Sequence, residues 1–164
     1  MGSYPRCNAQ VSTLDIKNGI SEYRKLKGYN PDIVIVDSMD LLTDANRRSW
    51  GADHERAKRI AVANDLKDLA ADEKVWMVVT YQSTIEDREW LNDERNVLTE
   101  YNCSEAKGLA RPCTHLVSLN QSSAERKENV MRLHVAKSRF FKKGDTIRIA
   151  TDYDNEVFYD CLLY

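Results

Sequence analysis

An aspartate closes an unbroken β-branched run in Ile33-Val34-Ile35-Val36-Asp37, and a second carboxylate, Asp40, follows three residues later. A run of this kind predicts a strand buried on both faces, as central strands of parallel sheets are. A carboxylate at the carboxyl end of such a strand stands at the edge of an open α/β sheet, where ligands bind. There it can hold Mg²⁺ directly or through water, and the metal neutralises phosphate charge during nucleotide hydrolysis. The alternative is that Asp37 caps the next helix or opens a turn. Other chemistries lack their residues. The chain has no Gly-x-x-x-x-Gly-Lys-Ser/Thr, no Gly-x-Gly-x-x-Gly, no Gly-x-Ser-x-Gly elbow and no His-Glu-x-x-His pair. His54, His115 and His134 are scattered, and Cys7, Cys103, Cys113 and Cys161 show no Cys-x-x-Cys spacing. The cysteines read as buried thiols of a reducing compartment. A self-contained hydrolase is not expected.

Placing Asp37 at a sheet edge requires a crossover around it. Ile16, Ile20, Tyr23 and Leu26 recur at helical spacing, with Gly28 and Pro31 as the stop, so a helix leads into the Asp37 strand. Ala9-Gln10-Val11 suits a short edge strand. Asn46 to Gly51 is polar and turn-like. Asp53 is placed to cap a second helix reaching about Asp72, with Ala57, Ile60, Ala63, Leu66 and Leu69/Ala70 on one face. Val75 to Thr80 is the second buried strand, ending in Tyr81-Gln82-Ser83. Strand, helix, strand predicts a right-handed parallel crossover, with Asp37 and Gln82 on the same sheet edge.

From Ser83 to Pro112 apolar periodicity fails, apart from a short helical turn over Ser104 to Ala110, and long segments of this kind are usually functional. Thr114 to Leu119 reads as a third strand, and Gln121 to Asn129 as a charged loop tip without a site. Val130 to Val135, Thr146 to Thr151 and Glu156 to Cys161 form an antiparallel meander, turning at Lys143-Gly144-Asp145 and Asp154-Asn155. On residue type alone, Lys137 and Arg139 are an exposed basic strand end beside Lys142 and Lys143.

A chain of 164 residues, 42% apolar and 30% charged, is the size and composition of one soluble domain spanning 1–164. Its net charge of -2 gives no global field for nucleic acid, so any such contact needs a local basic patch. No apolar run approaches the roughly 20 residues that span a bilayer. A cytoplasmic protein without membrane contact is expected.

Four features together resemble the C-terminal half of the RecA-like motor domain of DnaB-family replicative helicases, from about Leu14 to Tyr159. They are the strand ending in Asp37, the strand ending in Gln82, the segment Glu105-Ala106-Lys107-Gly108, and Ala136-Lys137-Ser138-Arg139. The resemblance implies an α/β, RecA-like, mostly parallel sheet with flanking helices and a C-terminal antiparallel extension, incomplete at its N-terminal side. It makes Val-Ile-Val-Asp-Ser-Met-Asp-Leu-Leu the Walker B strand, with Asp37 on the Mg²⁺ side; Asp40 stands where the family has Gln. Gln82 becomes the residue that senses the γ-phosphate of ATP. Lys137 and Arg139 become trans fingers that reach the neighbouring subunit's nucleotide. Glu105, Lys107 and Gly108 become the contacts to single-stranded DNA; Glu105 replaces the family's usual Arg, and Arg111 is placed to compensate. The family's P-loop and catalytic glutamate belong upstream of residue 1. The implied function is therefore a share of an ATP-dependent ring-hexameric helicase, with a primase or loader as partner and no hydrolysis by this chain alone. Two other readings stay open: a non-enzymatic RecA-like module docking on a helicase or loader, and a RecA/KaiC-type recombination or clock ATPase.

Overall fold

The computed structural model describes residues 11–43, 55–83, 85, 87–102 and 107–160. It divides into two units, Met1–Tyr81 and Gln82–Tyr164. Among the described residues no helix is long and apolar enough to cross a membrane.

The first unit opens with β1 (Val11–Ser12) and α1 (Thr13–Lys27). Ser12 and Asp15 form a capping box that satisfies the first amides of α1, and Arg24, Lys25 and Lys27 in its last turn complement the helix dipole. Gly28 ends the helix at φ +79°, a left-handed conformation open to glycine, and its N–H bonds the Arg24 carbonyl at 2.8 Å. The chain then forms β2 (Ile33–Val36), a single 3-10 turn at Met39–Leu41, and β3 (Leu42–Thr43), which pairs in parallel with β1. Next come α2 (Glu55–Glu73) and β4 (Trp76–Val79). β4 pairs in parallel with β2, in the register Ile33↔Trp76 to Val36↔Val79, so the strand–helix–strand expectation holds. Asp53 and the Asn46–Gly51 turn lie outside the described residues. Ala63, Leu66 and Leu69 of α2 are buried as expected, together with Val62, and they share the core with Ile20, Val36, Met39, Leu42 and Val75.

One expectation fails here. β2 and β4 are not buried on both faces. Val36 is buried, but Ile33, Ile35, Trp76 and Val78 are 57, 70, 78 and 49% exposed. Exposure alternates along both strands because side chains point to opposite faces and α2, which packs on β4, covers one face only.

The second unit contains α3 (Arg88–Asn92), α4 (Lys107–Ala110), β5 (His115–Asn120), α5 (Ser123–Lys127), β6 (Val130–Ser138), β7 (Thr146–Asp152) and β8 (Val157–Asp160). Its strands form one antiparallel sheet in the order β5-β6-β7-β8. Gly144 turns the β6–β7 connection at φ +93°. The segment Gln121 to Asn129 is not the loop tip that its charges suggested. Ser122 and Glu125 close a capping box around α5, and the Glu125 carboxylate, 1% exposed, pairs with Arg132 Nε at 2.7 Å. Arg132 Nη1 also donates to the carbonyls of Glu94 and Asn96, at 2.6 and 2.8 Å. Burial opposes ionisation of Glu125, but the Ser122 amide and the hydrogen bond and charge of Arg132 outweigh it and hold the carboxyl below its ordinary value. Part of the long aperiodic segment is therefore fixed by polar contacts rather than by an apolar stripe. Leu98 N donates to Asn120 Oδ1 at 2.7 Å, and Ser118 Oγ donates to the Leu98 carbonyl at 2.6 Å.

Candidate functional site

In the first unit the site begins where β2 and β4 run out side by side. Val36 pairs with Val79, so Asp37 and Thr80 follow at the same carboxyl edge. Thr80 Oγ1 donates to Asp37 Oδ1 at 2.5 Å. The backbone locks the same corner: Thr80 N donates to the Val36 carbonyl at 3.0 Å, and Met39 N donates to the Thr80 carbonyl at 3.1 Å. Asp37 is exposed, and the peptide joining it to Ser38 is cis. The capping alternative is excluded by position. Ser38, not Asp37, is the N-cap of the Met39–Leu41 turn, and it makes no side-chain cap bond.

Thr80 orients one carboxylate oxygen and leaves the exposed group able to meet a cation. Among the described residues no cluster of three or more His, Cys, Asp or Glu could build a metal cage. Mg²⁺ needs none, being held typically by one or two carboxylates, waters and substrate phosphates. Asp37 fits that role as a single ligand. The end of β4 is steadied by Arg59 of α2, whose Nη1 donates to the Tyr81 hydroxyl at 3.1 Å. Gln82, exposed, is the first residue of the second unit. Thr80 escaped the sequence reading; its signal was a hydroxyl at the strand end paired with the Asp37 strand.

In the second unit the basic residues of β6 meet the turn after α4. Lys137 Nζ donates to the Ala110 carbonyl and, at 3.3 Å, to the Arg111 carbonyl. Arg139 Nη2 donates to the same Arg111 carbonyl at 3.0 Å, and Arg139 N donates to the Thr114 carbonyl at 3.1 Å. Arg111 N in turn donates to the Gly108 carbonyl at 3.3 Å. Four sequence-predicted residues, Gly108, Arg111, Lys137 and Arg139, thus converge on one turn. Cations at the carbonyl end of a helical turn satisfy acceptors that have no partner within it. Cys113 sits in the same corner, its thiol 3.6 Å from the Leu109 carbonyl. Burial pushes that thiol up, against the lowering charges of Lys137 and Arg139. Glu105 and the Lys107 side chain lie outside the described residues.

No family model and no curated protein matches the chain. Solved structures do. A DnaB-like replicative helicase, solved in a study of its interactions with primase, superposes with a TM-score of 0.70 at 22% identity over 92% of this chain. A second solved structure, an ATPase domain, superposes with a TM-score of 0.70 at 20% identity, also over 92%. The RadB recombinase gives 0.50 at 18% identity over 88%. The chain spans 36% of the helicase, 51% of the second ATPase domain and 58% of RadB. The fold is RecA-like, of the kind found in the ATPase domain of DnaB-like helicases.

Proposed function

We propose that this chain is part of an ATP-driven motor of the DnaB-like kind, which translocates along single-stranded DNA as a homo-hexameric ring. Asp37, oriented by Thr80, is the Mg²⁺-side carboxylate, and the metal bound with ATP would neutralise phosphate charge there. Gln82 is the γ-phosphate sensor. Lys137 and Arg139 act on the nucleotide of the neighbouring subunit, where fixed cations stabilise the transferring phosphoryl group. Glu105, Lys107, Gly108 and Arg111 form the DNA segment, and a primase or loader is the external partner. The observation that carries this reading is the shared Arg111 carbonyl. Because Lys137 and Arg139 both donate to it, engaging either cation with a phosphate competes with its bond to the turn that carries Gly108 and Arg111. Nucleotide state and DNA grip are thereby coupled.

By itself the chain neither binds ATP tightly nor hydrolyses it. The test uses the protein as it occurs in its native assembly. Arg139→Ala should abolish hydrolysis and spare nucleotide binding, and turnover at the parent rate removes the finger role. Lys107→Ala should weaken single-strand binding and flatten its salt dependence. The bare apolar face of Ile33, Ile35, Trp76 and Val78 supports the second reading, a RecA-like module that docks on a helicase or loader. Under it, partner binding survives substitution of Asp37 and Gln82.

A further inference from the structure

The connection between β6 and β7 carries two adjacent phenylalanines, Phe140 and Phe141, that no role above uses. They are 76 and 75% exposed. Single exposed apolar side chains are ordinary, but these two are held in a defined arrangement. Phe141 N donates to Ser138 Oγ at 2.8 Å, which fixes the backbone under the rings. The imidazole of His115, on β5, stacks on Phe141 with centroids 5.6 Å apart and planes at 27°, and it meets Phe140 at 6.0 Å and 56°. Three rings, one from β5 and two from the β6–β7 connection, therefore form one solvent-facing group.

The charges around that group are of one sign over most of its length. The order is Lys137-Ser138-Arg139-Phe140-Phe141-Lys142-Lys143, and the first acid, Asp145, engages Lys142 at 3.0 Å. In a chain of net charge -2 this is a local exception. Flat aromatic faces with interleaved cations match a polyanion that carries flat bases. A hydrophobic protein pocket would be matched by the rings alone. Every base offers a flat face to stack on, so the expected binding is tolerant of sequence.

We propose that His115, Phe140 and Phe141 form a stacking platform for the bases of single-stranded nucleic acid, with Lys142 and Lys143 meeting the flanking phosphates. The site requires neither Asp37, Gln82 nor Lys107, so it stands or falls separately from the motor reading.

The test is fluorescence anisotropy of the complete chain with labelled oligothymidylate and with an abasic deoxyribose-phosphate oligomer of equal length. The wild type should bind the base-bearing oligomer more tightly. Phe140→Ala/Phe141→Ala should weaken oligothymidylate binding about tenfold or more and leave abasic binding unchanged. Phe140→Trp/Phe141→Trp should retain the wild-type preference, which separates stacking from a folding defect. Lys143→Ala should weaken both oligomers and flatten the salt dependence. Equal wild-type binding to the two oligomers, or an unchanged double alanine variant, would overturn the platform. So would a double alanine variant that loses self-association in sedimentation while still binding oligothymidylate, because the rings would then be a contact between copies.

Discussion

In the first unit the β2–β4 pair is apolar on both sides and α2 covers one of them; in the second unit the β5–β6 pair buries polar side chains instead. Asn120, Arg132 and His134 are buried, whereas Val117, Leu119 and Ile147, on the opposite face, are 51, 60 and 52% exposed. The first arrangement follows from hydrophobic burial under a helix. The second is specified by partners, because a buried guanidinium is tolerated only where a carboxylate and carbonyls satisfy it. The candidate sites differ in the same way. Asp37 is exposed at a strand end with a single hydroxyl donor, while Lys137 and Arg139 are tied to backbone carbonyls.

The comparison is broken most directly at Arg132. Arg132→Ala leaves Glu125 charged and buried, and should cost about 3–5 kcal/mol in a urea titration. A loss below about 1 kcal/mol would mean that apolar packing, not the ion pair, holds the second unit. Leu66→Ala is the counterpart in the first unit. With Leu66 3% exposed, the lost burial and residual cavity should cost about 2–4 kcal/mol.

Acid separates the two units next. The Glu125 carboxyl is held below its ordinary value, and Arg95, mainly through its side-chain hydrogen bond, lowers Asp93 to about 2. A depressed folded pKa adds stability above the unfolded value and loses it as pH falls through the folded one. Stability of the second unit should therefore be level near neutrality and decline below the ordinary carboxylate value of about 4.5. Glu125→Gln should flatten much of that decline, followed by the amide resonances of β5 and β6. An unchanged profile would remove Glu125 as a source of acid sensitivity. The smallest effect is expected at Ile35→Thr on the bare face, within about 0.5 kcal/mol of the parent. A loss above about 2 kcal/mol would show that the face is covered in solution.

Much of the first unit was legible along the chain. The spacing of Ile16, Ile20, Tyr23 and Leu26, the stop at Gly28, the Val-Ile-Val run and the crossover into β4 each depend on neighbours within a few turns. The loop expectation at Gln121–Asn129 failed because Ser122, Glu125 and Arg132 look like solvated surface until a fold brings Glu94 and Asn96 beneath them. The ends of the basic strand could be located from sequence, but not the carbonyl to which they are attached.

Residue order by itself determined the elements, their turns and the carboxylate after a β-branched run, since propensity, capping and side-chain period act over a few residues. Only tertiary structure decided which faces are covered and which donor each site residue meets. Those contacts join residues far apart in the chain, 43 positions for Thr80 and Asp37 and 28 for Arg139 and Arg111, and no local pattern encodes such a distance.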